Sequence, residues 1–591
     1  MFIYGPRRRA RRGLRVARLA LCLVLAACGP TGPSATATPA ANRPTAAAAA
    51  GTVTHTQVLT PSATPEPTAL PSPTPSPTSF TIGLAELPGS LDPANALNRA
   101  GLLIARHLYD GLTAYAPGGT LPIPALAESW TISPDALTWT FRLRPGASFS
   151  DGAPVTADAV RLNFERWLTA APPGHYAFWR AVFGGFAGEM DETGQPLSLI
   201  AGVTAPDPAT LVLTLNRPDA TLANSLAMPS FGLVNPVAFA NGAGGALAGE
   251  LSAGAGPYVL SDASQPGLVR LTRNLGYWNA AALAGGPDEL VFKTISDNTQ
   301  RLLALQTGEI EAMSDVGPDQ YLAAASPARG TRLVFDPSLS VLYLGFNQAH
   351  APWGHLDCRL AVSQALDRDR YVAQYFPGDA QVAAVMQPPA VWGYPAQVPA
   401  LRYDPAAARA HWQACLAAAV TIPVSMTLFV PPLPRPYLPD PAGLGAAVQV
   451  DLATLGITLT VQSPDWQTAW LPAVHTGQAD LFLLGWTGIN GDPDAFLCPL
   501  FCGFEAAFAA DDTGRPVPPD AELLGLLQDA RTANTLPARE RLYAEAHARV
   551  AAGLPAVPLA YRQTAWAIRL DVQGYTPSPI DSFFGLVYQQ P

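Results

Sequence analysis

An α/β architecture of more than one domain is predicted by three features of the 591-residue sequence. The chain is longer than a single hydrophobic core supports. Beyond residue 80, short apolar runs of period two alternate with runs of helical period, the pattern of a parallel or mixed sheet covered by helices. Apolar residues make up 49% of the chain and charged ones 14%, which suits large cores and excludes disorder outside the N-terminal region. The net charge of −10 offers no basic face to a polyanion, so nucleic acid is not an expected partner.

Met1 to Arg18 is rich in arginine and precedes the apolar run Leu19 to Ala26, too short to stay in a membrane as a spanning helix. That order reads as an export signal. The run closes on Leu25-Ala26-Ala27-Cys28, which resembles the lipobox of bacterial lipoproteins, in which the cysteine thiol is diacylated and the signal removed. Residues 1–28 are therefore expected to be a lipoprotein signal with Cys28 as the lipidation site. Residues 29–79 are almost wholly Ala, Thr, Pro, Ser and Gly and cannot offset their ordering entropy by burial. They are expected to form a tether of about 50 residues spanning ~40 Å root-mean-square.

The folded part opens with a strand at Phe80 to Gly83 and a helix through Leu102, Leu103 and Leu108, ended by Asp110-Gly111. Trp139, Phe141 and Leu143 alternate as a strand, and Val160, Phe164 and Trp167 share one face of a helix that follows Thr156. Gly256-Pro257-Tyr258 turns into another strand. A helix through Leu302, Leu303 and Leu305 is expected to bury all three leucines and to stop at Gly308. Val341 to Asn347 reads as a strand, and the stretch after Asp357 as one helix running to Val372. A further helix begins near Asp404-Pro405, Met426 to Val430 is a strand, and a helix–turn–strand unit follows at Gly443 to Ser463.

Phe482 to Leu500, FLLGWTGINGDPDAFLCPL, joins an inner strand to a loop of unusual composition. The strand is predicted to end at Leu484, where Gly485, Gly488 and Gly491 free the backbone to turn sharply. Trp486 supplies a flat wall with one N–H donor, and Asp492 and Asp494 supply charge, a set suited to an organic solute with polar ends. His350, His355, Asp357 and Cys358 match no familiar metal motif. No nucleophile elbow, phosphate loop or HExxH is present, and neither a cofactor nor catalysis is expected.

The words SLDPA, LYDGL, PALAESWTISPDALTWTFRLRPGASFSDGAPVTADAV and GWTGINGDPDAFL resemble, in order, the extracellular solute-binding proteins of family 5, the dipeptide- and oligopeptide-binding subunits of ABC importers. The resemblance covers roughly Phe80 to Gln590. It implies a two-lobed periplasmic-binding-protein fold, class II-like, with an extra subdomain in the first lobe, closing by a hinge. By it, residues 80–120, 251–340 and 557–591 make the first lobe, 121–250 the extra subdomain and 341–556 the second lobe. RPYLP at Arg435 to Pro439 is similar to the RPYNP word of dipeptide binders, whose arginine pairs with the peptide carboxylate. The implied ligand residues are Arg435, Tyr437, Gly485, Trp486, Thr487, Gly488, Ile489, Asn490, Asp492 and Asp494. Dipeptide binders hold the peptide amine with an aspartate at the position of Ile489, so this chain keeps the wall and lacks that charge.

The resemblance implies a monomeric, lipid-anchored receptor on the outer face of the cell membrane that takes a peptide-like or carboxylated solute and delivers it to permease subunits. The family also carries metal chelates, glutathione and sugars, which remain the alternative ligands, ahead of a surface-anchored enzyme. Cys358, Cys415, Cys498 and Cys502 face an oxidising exterior. Their even number permits two bridges, and the expected pairs are Cys498 with Cys502, four apart, and Cys358 with Cys415 in one lobe.

Overall fold

The computed structural model describes residues 78–169, 175–240, 253–376, 378–397, 402–418, 422–502, 520–579 and 587–588. The predicted signal, Cys28 and the tether as far as residue 77 lie outside them. A twelve-stranded mixed sheet runs through the molecule, and a separate four-stranded antiparallel sheet pairs residues 127–132, 138–143, 210–215 and 200–207 in that order. The fold is that of the two-lobed periplasmic binding proteins.

In the main sheet, strand Ser79–Leu84 lies parallel to Glu289–Thr294, which continues through Leu268–Arg273 to Tyr258–Asp262 at one edge. At the other edge Leu459–Gln462 and Leu481–Thr487 flank Met426–Phe429, both parallel to it. Ser340–Phe346, buried along its whole length, joins this group to the fourteen-residue strand Ala556–Arg569. That long strand belongs to both halves. Its early residues pair with 340–346 and 380–382, whereas Gln563–Arg569 pair with 331–337. Only Ser338 and Leu339 separate strands Thr331–Pro337 and Ser340–Phe346, so the chain crosses between halves here as well. Residues 557–562, expected in the first lobe, lie beside 342–344 and 380–382 of the span expected in the second.

Local chemistry accounts for most elements. Thr156 caps the helix Ala157–Leu168 by accepting from the Ala159 N–H, which places Val160, Phe164 and Trp167 in the core against Trp179 and Phe231. Asp404 does the same for Pro405–Ala417, with proline in the first turn where no N–H is missed. Gly308, at φ +77°, ends the helix Asn298–Thr307. Leu303 of that helix is exposed, contrary to expectation, because the helix packs through Leu302 and Leu305. The single helix predicted after Asp357 is two, Leu356–Ala365 and Arg368–Tyr375, since Asp367 takes the N-cap position and accepts from the Arg370 N–H. Cys358 and Cys415 are bridged at a Cα separation of 5.1 Å, pinning the first of these helices to Pro405–Ala417, and Cys498 and Cys502 are bridged at 4.8 Å.

Candidate functional site

Strand Leu481–Thr487 is inserted between Ser340–Phe346 and Met426–Phe429, and Leu481, Phe482 and Leu483 are buried. It does not stop at Leu484. Gly485 is a strand residue, and the reason for glycine is tertiary: a Cβ there would clash with the Tyr437 ring, which lies against the strand. Burial pushes the Tyr437 phenol up to about 12, so it is a neutral hydrogen-bonding group. Gly488 likewise makes room for Phe496. Of the three glycines only Gly491 has positive φ, +64°, and a Cβ on it would meet Thr120.

The Arg435 backbone exchanges two 2.9 Å hydrogen bonds with Leu438, a tight turn that presents the side chain. Its guanidinium carbon lies 3.7 Å from the centroid of the Trp466 ring, which stacks on Trp470. Arg435 Nε is buried without a partner, and no carboxylate among the described residues forms an ion pair with it. Desolvation pulls its pKa below the ordinary arginine value, so a carboxylate there would restore what burial removes. Arg562, itself paired with buried Asp379, donates to the Pro436 carbonyl at 2.7 Å and braces this turn from the long strand. Beside it a cavity of about 230 Å³ opens, lined by Ser338, Pro389, Tyr561 and Arg562 among others, but by none of the predicted ligand residues.

Past the strand, the loop crosses to the four-stranded module. Trp486 is half-buried and donates its indole N–H to the Ala495 carbonyl at 2.6 Å; Thr487 is exposed. Ile489 packs against the module's core. Tyr115 donates to the Asn490 carbonyl at 2.8 Å, Thr120 to the Gly491 carbonyl at 2.6 Å, and the Asn490 amide to Ser225 Oγ at 2.9 Å. The two halves therefore touch at this loop.

The aspartates have structural partners. Asp492 is wholly buried and receives both arms of Arg539, at 3.0 and 2.8 Å, while its Oδ1 also accepts the Asp494 N–H. Turning Asp492 toward a solute would strand Arg539, a buried guanidinium. Asp494 accepts from Arg531 at 2.8 Å, leaving Oδ1 buried and unpartnered. Tyr437 thus lies on the Gly485 face of the strand, Trp486 on the opposite face, and Arg435 on Trp466, while Ile489 and Asn490 meet the module and Asp492 and Asp494 pair with Arg539 and Arg531. Trp466, beneath Arg435, escaped the sequence reading, which has no local signal for a partner 31 positions away.

Burial raises the Asp494 pKa to about 6 against the pull of Arg531, with Asp492 and Asp219 adding to the rise and Arg539 opposing it. The folded state then binds a proton that the unfolded chain, near pH 4, has already released. The cost of burying the ionised form is complete above about pH 6 and disappears as the pH falls to about 4. Asp494→Asn is expected to flatten the dependence of stability on pH across that window and to gain on the wild type at pH 7.5. Urea unfolding at pH 4.5 and 7.5 checks this, and unchanged slopes would refute it.

The family model described as "Bacterial extracellular solute-binding proteins, family 5 Middle" matches residues 122–508. Di/tripeptide-binding protein 4 of Pseudomonas aeruginosa is 33% identical over 500 residues, covering 81% of this chain and 88% of that one. The dipeptide-binding protein of Escherichia coli is 29% identical over 483 residues, 80% and 87% of the respective chains. Among solved structures, HbpA2 from Haemophilus parasuis superposes with a TM-score of 0.74 at 24% identity over 87% of this chain and all of that one. With a family match across most of the folded part and a two-lobed frame to carry it, the chain belongs to the bacterial extracellular solute-binding proteins, family 5, which bind solutes and are not enzymes.

Proposed function

We propose that the protein is a lipid-anchored extracytoplasmic receptor of an ABC importer that captures a carboxylated, peptide-like solute between its lobes and hands it to membrane permease subunits. The observation that carries this reading is Arg435: a guanidinium held on an indole face, its Nε buried, with no carboxylate among the described residues paired to it. Such a group is costly unless a ligand anion completes it. Relatives named for dipeptides and tripeptides support the peptide class. Trp486 and Ile489 supply an apolar end where those relatives' resemblance calls for an amine partner, which favours a blocked peptide or organic acid over a free-amine dipeptide. Closure pivots on the two crossings, the strand Ala556–Arg569 and residues 338–339.

Mass spectrometry of small molecules released on denaturing the purified protein tests the ligand class: organic anions are expected, and release of sugars alone would refute it. The anchor rests on Cys28 and is tested separately. Two or three acyl chains hold a protein far more firmly than the single chain that gives reversible binding. Cys28→Ser is expected to move the protein from the membrane fraction to the soluble one. Unchanged fractionation would exclude acylation at Cys28.

A further inference from the structure

Helix Leu356–Ala365, residues 382–386 and the last turns of helix Leu536–Gly553 enclose a cavity of about 680 Å³ in the second lobe. Neither Arg435 nor Trp486 borders it. Much of its wall is aliphatic, from Leu360, Val385, Met386 and Val550, yet three buried polar side chains in that wall have bonding capacity to spare. Arg368 is 8% exposed; it makes one long hydrogen bond of 3.4 Å to the Pro558 carbonyl, and its neighbour Asp369 is exposed at the rim without forming an ion pair with it. Ser363 Oγ is buried and unpartnered. His547 is 3% exposed, and its Nε2 lies 3.0 Å from Gln387 Oε1.

The Gln387 amide nitrogen donates to the carbonyls of Val391 and Trp392, which turns its oxygen toward the histidine. Nε2 must then carry the proton, and Nδ1, buried and without a partner, is a bare acceptor. Desolvation lowers the ring pKa to about 4, so it stays neutral. An incompletely satisfied guanidinium and a spare hydroxyl suit a carboxylate, a bare ring nitrogen suits an O–H or N–H, and the aliphatic walls suit an apolar body. The volume falls among those of sites for small organic molecules.

We propose that this cavity is a second small-molecule site, separate from the cleft between the lobes. It takes an apolar organic acid bearing a hydroxyl or amide N–H, the carboxylate meeting Arg368 and Ser363 and the donor meeting His547. The proposal stands whether or not the cleft reading holds.

The test uses the full chain carrying Arg435→Ala, which removes the carboxylate contact proposed for the cleft. It is titrated with 3-phenyllactate, and with 3-phenylpropanoate as the analogue lacking the hydroxyl. Binding of 3-phenyllactate is expected to persist in this background and to weaken at least about tenfold on adding Arg368→Met, the loss of a charge-assisted contact. Leu360→Trp, which fills the cavity and leaves Arg368 in place, is expected to weaken it as much and guards against a folding defect in the first variant. The preference for the hydroxyl-bearing acid should vanish in His547→Phe. Binding abolished by Arg435→Ala, binding unchanged in either Arg368→Met or Leu360→Trp, or no binding at about 10 mM would each overturn the proposal.

Discussion

Asp492→Asn is expected to cost the folded protein about 3–5 kcal/mol, the penalty for breaking a buried ion pair and leaving one charge behind. Arg539 would keep its cation–π contact with Trp392 and its bond to the Ala530 carbonyl, but lose the only carboxylate among the described residues that faces it at hydrogen-bonding distance. The companion variant Asp492→Asn with Arg539→Met removes both charges and is expected to recover much of the loss, since no uncompensated buried charge is left behind. Denaturant unfolding of the four proteins in the cycle gives the coupling directly. A loss below about 1 kcal/mol in the single variant would mean that Arg539 reaches water or another acceptor when its partner goes.

Arg435→Ala should weaken binding of an N-acetylated dipeptide by about 10- to 100-fold, because a charge-assisted contact is worth roughly 1.5–3 kcal/mol. Ile489→Asp should raise affinity for free-amine dipeptides by a similar factor while weakening that for their acetylated forms. The prediction follows from the pairing of a free guanidinium with an apolar residue where the resemblance places an acid. Calorimetry on both ligand types with wild type and each variant decides it. Tight wild-type binding of free dipeptides, undiminished by Arg435→Ala, would remove Arg435 from the ligand site.

The framework of the molecule was legible wherever its cause is local. Thr156 and Asp404 cap the helices that follow them, Gly308 stops a helix by its backbone geometry, and Trp139, Phe141 and Leu143 point inward from an alternating strand. Both expected disulfides form. The site was less legible because its causes lie far along the chain. Gly485 reads as a turn glycine but is a strand residue cleared for Tyr437, 48 positions earlier. Asp492 reads as a loop carboxylate offering charge to a solute, yet it is paired with Arg539, 47 positions later. The two-helix break at Asp367 was a local signal passed over: an aspartate one residue after a leucine competes for the cap as effectively inside a predicted helix as before one.

The strand Ala556–Arg569 also orders events in time. Every strand it pairs with precedes it in the chain, and contacts beside it join residues as distant as Arg332 and Val572, 240 positions apart. During synthesis from the N-terminus, 331–337 and 340–346 therefore wait beside an empty lane, and neither half can complete its sheet before the other. Closing such long loops is slow, and the waiting strands expose unpaired edges. The ribosome must release nearly the whole folded part before the piece that locks it arrives, which leaves the nascent chain threadable for as long as it is being made and places its greatest risk of aggregation in that same interval.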